Sequence, residues 1–166
     1  MNEKVISYND LRKIKEICKF ESKKIILCHG CFDLLHIGHI YYFEAAKKEG
    51  DVLIVSVTDD IFISKGKGRP AFCSKERVRF LSHIDIIDYI IVSNFPTARQ
   101  ILDELVPDVY VKGIDYVDID LSKNLGLKEE LEVCRQKNIL IKYTKTKKYS
   151  STTLLKQYFH LGEKNG

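Results

Sequence analysis

The sequence predicts an α/β fold, one domain in which a parallel sheet lies between two helical layers. Three observations carry that expectation. Short, almost wholly apolar runs recur along the chain: Lys24 to Cys28, Asp51 to Thr58, Asp88 to Val92, Asp108 to Lys112 and Ile139 to Tyr143. They are too short for helices, and they lack the alternation of a strand with one wet face, so they read as strands buried on both sides. Between them lie segments with helical apolar spacing, which is the pattern of βαβ units. Finally, 166 residues of which 45% are apolar suit a single core, and no repeat or Gly/Ser- or Pro-rich linker divides them.

Residues 1–23 form a prefix in which Leu11, Ile14, Ile17 and Cys18 recur at helical spacing after a predicted cap at Asn9. The apolar side of this helix suits either its own core or a dimer contact. Residues 24–160 form the body of the domain, and 161–166 a tail. The first strand runs into a turn at His29-Gly30. A helix from about Ile37 to Glu49 follows, with Ile40, Phe43 and Ala46 on one side and Gly50 as its stop. Further helices are predicted from Ser74 to Ile84, Thr97 to Leu105, Leu125 to Lys137 and Ser151 to Phe159. In such sheets ligands sit beyond the carboxyl ends of the strands, where strand order reverses. The loops that matter therefore follow Cys28, Thr58, Val92, Lys112 and Tyr143.

Composition narrows the function classes. The longest apolar stretch, Ile84 to Val92, is broken by Asp85 and Asp88, so no membrane span is predicted. The opening MNEKVISYNDLRK lacks the apolar segment of a secretory signal, and a cytoplasmic location is expected. Five irregularly spaced cysteines predict free thiols rather than a disulfide framework. A net charge of +4 does not call for a nucleic-acid partner. The charge is unevenly placed, however: Arg135 to Lys156 holds seven basic residues and no Asp or Glu, a stretch suited to meeting phosphate.

The loop after the first strand reads Gly30-Cys-Phe-Asp-Leu-Leu-His36-Ile-Gly-His39. Two histidines three apart in a first helical turn project to one side. A helix N-terminus there offers free N–H groups and a favourable dipole to an anion, and Gly38 leaves room for its approach. Imidazoles aimed at a phosphate stabilise charge that develops during phosphoryl transfer. The competing readings are a cap and a solvent-facing ring, or, with the Cys28-x-x-Cys31 pair, a zinc or thiol site. Neither the dinucleotide fingerprint nor a P-loop occurs.

Lys65-Gly-Lys67-Gly-Arg69-Pro70 places three cations and two glycines in the loop after the second strand, suited to folding over a polyphosphate or to a solvated surface loop. Arg77, in the first turn of its helix, opposes the helix dipole and so calls for an anionic partner. Lys112-Gly113-Ile-Asp115-Tyr116 ends another strand with either a base- or sugar-facing turn or a plain one. Ser150 to Thr153 supplies caps and hydroxyls beside the basic stretch.

Together these segments resemble the cytidylyltransferase-like nucleotidyltransferase superfamily, whose hallmark H-x-G-H stands here as His36-Ile-Gly-His39. The likeness runs from Lys24 to about Phe159 and agrees with a single Rossmann-like domain. Within that superfamily it is greatest to the heptose-1-phosphate adenylyltransferase domain of ADP-heptose synthesis enzymes, through the blocks Gly30 to His39, Lys65 to Pro70 and Val111 to Tyr116. It is weaker to the glycerol-3-phosphate and ethanolamine-phosphate cytidylyltransferases. Those enzymes often carry an Arg before a Glu-Gly-x-Ser-Thr signature, where this chain has Thr146-Lys-Lys-Tyr-Ser150.

The resemblance implies transfer of a nucleotidyl group from ATP or CTP, with Mg²⁺, to a phosphorylated sugar or polyol acceptor, releasing pyrophosphate and yielding a precursor for surface glycan. It implies that His36, His39, Lys65 and Arg77 act in catalysis. Gly30, Cys31, Phe32, Asp33, Gly38, Lys112, Gly113, Asp115, Ser151 and Thr152 would bind nucleotide, and Lys67 and Arg77 the acceptor phosphate. No resident metal ligand is implied, and a homodimer is expected by analogy. The alternative from another class is a nucleotide-binding sensor without turnover.

Overall fold

The computed structural model of the chain describes residues 3–64, 66, 68–145 and 149–158. Its strands are β1 (Ile25–Gly30), β2 (Val52–Thr58), β3 (Tyr89–Ser93), β4 (Val109–Lys112) and β5 (Leu140–Tyr143). Its helices are α1 (Tyr8–Phe20), α2 (Ile37–Lys47), α3 (Ser74–Ser82), α4 (Arg99–Leu105), α5 (Leu125–Lys137) and α6 (Ser151–Tyr158). The strands are all parallel, in the order β3-β2-β1-β4-β5. This is the expected α/β, Rossmann-like arrangement, and the basic loop residues Lys65 and Lys67, together with Thr146 to Lys148 and 159–166, lie outside the described residues.

Every residue of β2 and β4 is buried, which explains why those runs showed no alternation. Side chains nevertheless leave alternately to two cores. Ile25, Leu27, Val52 and Ile54 pack with Leu11 and Ile14 of α1, Ile101, Leu102 and Leu105 of α4, and Val133 and Cys134 of α5. Ile26, Cys28, Leu53 and Val55 pack with Phe43 and Ala46 of α2 and Val78 and Leu81 of α3. Each Leu or Ile taken fully out of water contributes about 1.5–3 kcal/mol, so the two layers are held chiefly by these faces.

The prefix helix belongs to the first of these cores through Leu11, Ile14 and Cys18. Its cap is Ser7 rather than Asn9. The Asp10 carboxylate accepts the Ser7 N–H at 2.8 Å and the Ser7 hydroxyl at 2.6 Å, a reciprocal closure that Asn9, already inside the helix, does not offer. Just before it, Val5 forms a parallel bridge with Ile90 of β3, the Ile90 N–H donating to the Lys4 carbonyl and the Ile6 N–H to that of Ile90.

Other boundaries shift by a residue or two for local reasons. Strand β1 continues past Cys28 because His29 and Gly30 still pair with Ser56 and Val57. Helix α4 starts at Arg99, not Thr97, because the Ala98 N–H is taken by the Glu130 carboxylate at 2.8 Å. From β1 the chain winds to β2 and β3 on one side, then crosses to β4 and β5 on the other. The loops leaving β1 and β4 therefore part, and a cleft opens at their carboxyl ends.

Candidate active site

Two cavities occupy that cleft. The first, about 250 Å³, is walled by the loop after β1, the start of α2, the loop after β4 and the segment leading into α6. The second, about 270 Å³, opens toward the loops after β2 and β3 and the start of α5. They share His29, Gly30, Cys31, Lys112 and Tyr116 as a common wall.

The sequence folds tightly after β1. Phe32 adopts φ 48°, a left-handed conformation that costs a non-glycine residue on the order of 1 kcal/mol or more. The conformation turns its ring inward, where it is buried against His39, with centroids 5.5 Å apart, and Phe43, at 5.2 Å. The next residue pins the turn. The buried Asp33 carboxylate accepts the Ala71 N–H at 2.6 Å and pairs with the Arg69 guanidinium, so the loop after β1 and the Gly66–Pro70 loop are tied at their ends. Gly66 and Gly68 both have positive φ, 99° and 76°, conformations in which glycine is at home.

His36 is the N-cap of α2 in extended conformation, and His39 lies in its first turn. Their imidazoles stack at 3.9 Å between centroids. The Nδ1 of His39 accepts the backbone N–H of His36 at 3.2 Å, which leaves the proton of the neutral ring on Nε2. Burial lowers the pKa of His36, so near neutral pH its ring is uncharged. Its buried Nδ1 has no hydrogen-bond partner among the described residues. Two neutral imidazoles and the open N–H groups of a helix start thus line one end of the first cavity, an arrangement suited to an anion.

Of the residues predicted to bind nucleotide, Gly30, Cys31, Phe32, Asp33, Gly38, Lys112, Gly113, Asp115 and Ser151 line this first cavity with both histidines. Thr152 is exposed outside it. Ser151 is there as the first residue of α6, its hydroxyl donating to the Leu34 carbonyl at 3.1 Å. Lys65 and Lys67 lie outside the described residues.

Arg77 is not brought to either cavity. Its guanidinium is buried and donates to Asp60 at 2.6 Å and to the carbonyls of Thr58 at 2.9 Å, Phe72 at 3.0 Å and Cys31. The anionic partner that its place in the helix called for is thus Asp60: where a phosphate was expected, the guanidinium braces the two loops that follow β1 and β2. A Cβ at Gly38 would lie 2.5 Å from the Cβ of Tyr149 and 2.9 Å from Nδ1 of His36, so part of the room it makes is taken by a tyrosine.

Sequence reasoning missed the polar network under the shared wall. The Glu130 carboxylate accepts from Lys112 at 2.9 Å, from the Tyr110 hydroxyl at 2.9 Å and from the Ala98 N–H. Lys112 also donates to the Tyr110 hydroxyl at 3.1 Å, and its ammonium lies 3.9 Å from the centroid of the Tyr116 ring. Burial works to raise the pKa of Glu130, and the Lys112 charge with these hydrogen bonds outweighs it, leaving the pKa lowered. The signal was present: Leu127, Glu130 and Cys134 share one face of α5, so this glutamate stands on the apolar stripe. His29, which also walls both cavities, lies 3.0 Å from the Ser56 hydroxyl, and burial lowers its pKa to about 4.

The thiol or zinc alternative fares poorly on burial. Cys28 is fully enclosed in β1, which pushes its thiol up to about 12, opposite to what a thiolate ligand or nucleophile requires. Among the described residues no helix is long and apolar enough to cross a membrane.

Comparison with known proteins agrees with the cleft. The cytidylyltransferase-like family model matches residues 27–157. The Bifunctional protein HldE of Syntrophotalea carbinolica is 35% identical over 137 residues, covering 78% of this chain and 28% of that protein. The HldE of Geobacter metallireducens is 37% identical over 135 residues, 77% of this chain and 28% of that protein. The chain thus spans less than a third of the length of these curated relatives. Among solved structures, the lipopolysaccharide core biosynthesis protein of Thermoplasma volcanium superposes with a TM-score of 0.58 at 28% identity, covering 77% of this chain and 99% of that one. A family match spanning β1 through α6, with the H-x-G-H histidines stacked at the helix start that the match encloses, makes this chain a member of the cytidylyltransferase-like family.

Proposed function

We propose that the chain transfers the adenylyl group of ATP to the phosphate of a sugar of the heptose type, releasing pyrophosphate and giving a nucleotide-activated precursor for surface glycan. The observation that carries this reading is the stacked pair His36 and His39 at the start of α2. The likeness of the blocks Gly30–His39, Lys65–Pro70 and Val111–Tyr116 to the ADP-heptose enzymes supports the acceptor and the base, as do the relatives named HldE.

The acceptor phosphate oxygen attacks the α-phosphorus, forming one P–O bond while the bond to the bridging oxygen of the β-phosphate breaks. Pyrophosphate departs with the electron pair. The imidazole donors and the N–H groups of α2 hold the triphosphate oxygens as charge shifts onto the leaving group. Mg²⁺ enters as part of the nucleotide substrate, carried by phosphate oxygens and water. This fits a cavity in which the Asp33 carboxylate is already committed to Arg69 and Ala71.

The test is pyrophosphate release with purified protein and Mg²⁺, crossing ATP, CTP, GTP and UTP with heptose 1-phosphate, glycerol phosphate and phosphoethanolamine. Turnover confined to ATP with heptose 1-phosphate is expected. Turnover with CTP and glycerol phosphate would replace both base and acceptor, and saturable nucleotide binding with silence throughout would favour a sensor.

A further inference from the structure

The wall between the two cavities contains a residue with no assigned role. Tyr116 lines both cavities and sits in the short helical turn Ile114–Tyr116 after β4. The Lys112 ammonium lies 3.9 Å from its ring centroid, and that ammonium is fixed from behind by Glu130 and the Tyr110 hydroxyl. Glu130 in turn is anchored to the Ala98 N–H at the start of α4. The side chains of Lys112 and Glu130 are only 4% and 5% exposed, so the support is sheltered from solvent and from salt.

We infer that Tyr116 is a positioning residue for both substrates, a partition seated on Lys112 whose ring bounds the first cavity, lined by the nucleotide-binding candidates, on one side and the second cavity, which this inference assigns to the acceptor, on the other. The inference rests on the proposed reaction, in which two phosphorylated substrates must meet at one point. Each of the three N–H groups of the lysine ammonium has an occupation: Glu130, the Tyr110 hydroxyl and the Tyr116 ring face. Lys112 therefore acts on the substrates through the ring it seats and through its field, not by grasping a phosphate itself. A cation held under an aromatic face keeps that ring in one orientation at either stage of binding, whereas an aliphatic contact would let it turn. The phenolic hydroxyl is not needed for this role, and the ring is.

The experiment measures calorimetric affinity for Mg-ATP and, separately, for heptose 1-phosphate, in the wild-type chain and in the Tyr116→Leu and Tyr116→Phe variants. Melting temperatures are recorded alongside. Tyr116→Leu is expected to weaken both ligands by about 5-fold or more with the melting temperature within a few degrees of wild type, and Tyr116→Phe to restore both to within about 2-fold. Weakening of one ligand only, or of neither, overturns the partition. Weakening in Tyr116→Phe equal to that in Tyr116→Leu also overturns it, since the hydroxyl and not the ring would then be the working part. A wild-type chain that binds neither ligand, or Mg-ATP alone, overturns the proposed reaction and the two-sided role with it. Failure of the reaction is thus read in the wild type, and failure of the partition in the variants.

Discussion

The Arg77 guanidinium closes on the Asp60 carboxylate at 2.6 Å, with the arginine side chain fully buried and the aspartate about one third exposed. Around that pair the same guanidinium collects the carbonyls of Cys31, Thr58 and Phe72. Two loops at the mouth of the sheet, the one after β1 and the one that joins β2 to α3, the latter held near both its ends, thus converge on one side chain. A lysine has neither the planar fork nor the donor number to replace it.

Removing Arg77 should therefore act on stability first. Arg77→Ala leaves a carboxylate and three carbonyls without their donor, and a loss of about 3–5 kcal/mol is expected, with Arg77→Lys recovering only part of it. Urea unfolding followed by circular dichroism reads this directly. A variant that keeps wild-type stability while losing turnover would instead return Arg77 to the role of phosphate ligand.

His36→Ala and His39→Ala should do the reverse. Each removes a preorganised donor at a solvent-reachable cavity, so kcat is expected to fall roughly 10²–10³-fold while the unfolding midpoint stays close to wild type. Steady-state pyrophosphate release gives the number, and a fall of only a few fold would show that the reacting phosphates lie elsewhere.

The buried pair Lys112 and Glu130 makes a coupling prediction. Glu130→Gln strands an ammonium, and Lys112→Met strands a carboxylate, at about 3–5 kcal/mol each, whereas the double replacement Glu130→Gln with Lys112→Met removes both charges and should cost well below the sum of the single losses. A double-mutant cycle in urea that proves additive would mean that the two side chains are not interacting in solution.

His29 ties stability to acid. Its folded pKa of about 4 lies below the ordinary imidazole value of 6.5, so the fold favours the neutral ring. The stabilisation from this site is complete above pH 6.5 and is lost as pH falls toward 4, because the unfolded chain takes up the proton first. The loss amounts to at most about 3 kcal/mol, reduced by the water that reaches a ring on a cavity wall. Comparing urea midpoints at pH 7 and pH 4.5 for wild type and His29→Asn checks it: the variant should show the smaller drop.

The fold was largely legible because four of its strands are mostly buried and its helices amphipathic; β5, read as buried too, stands largely exposed because it is an outer strand of the sheet. Helix α5 was predicted at Leu125–Lys137, the observed bounds, since an apolar stripe, an Asn start and a basic last turn all coincide there. The binding edge was legible for the same reason, as strand ends locate it. What escaped was the division of labour among polar residues inside it. Arg77 and Glu130 each stand on the apolar stripe of a helix, and a charged residue in that place announces a buried partner. Which partner depends on chain segments 17 and 18 residues away, Asp60 and Lys112, that only the folded topology brings together. Tyr149 escaped because its approach to Gly38 joins the segment before α6 to the first turn of α2.

The sheet has two outer strands, and they are not equivalent. On β3, the N–H and C=O of Ile90 are already taken by backbone of residues 4–6, so a strand arriving there must first peel away the start of the chain. On β5, Leu140 and Tyr143 are exposed. Among the described residues no such bridge covers β5, so the two edges would meet an incoming strand unequally. Deleting residues 3–7 would bare the backbone of Ile90 and leave the sheet with two open edges where it now has one partly closed.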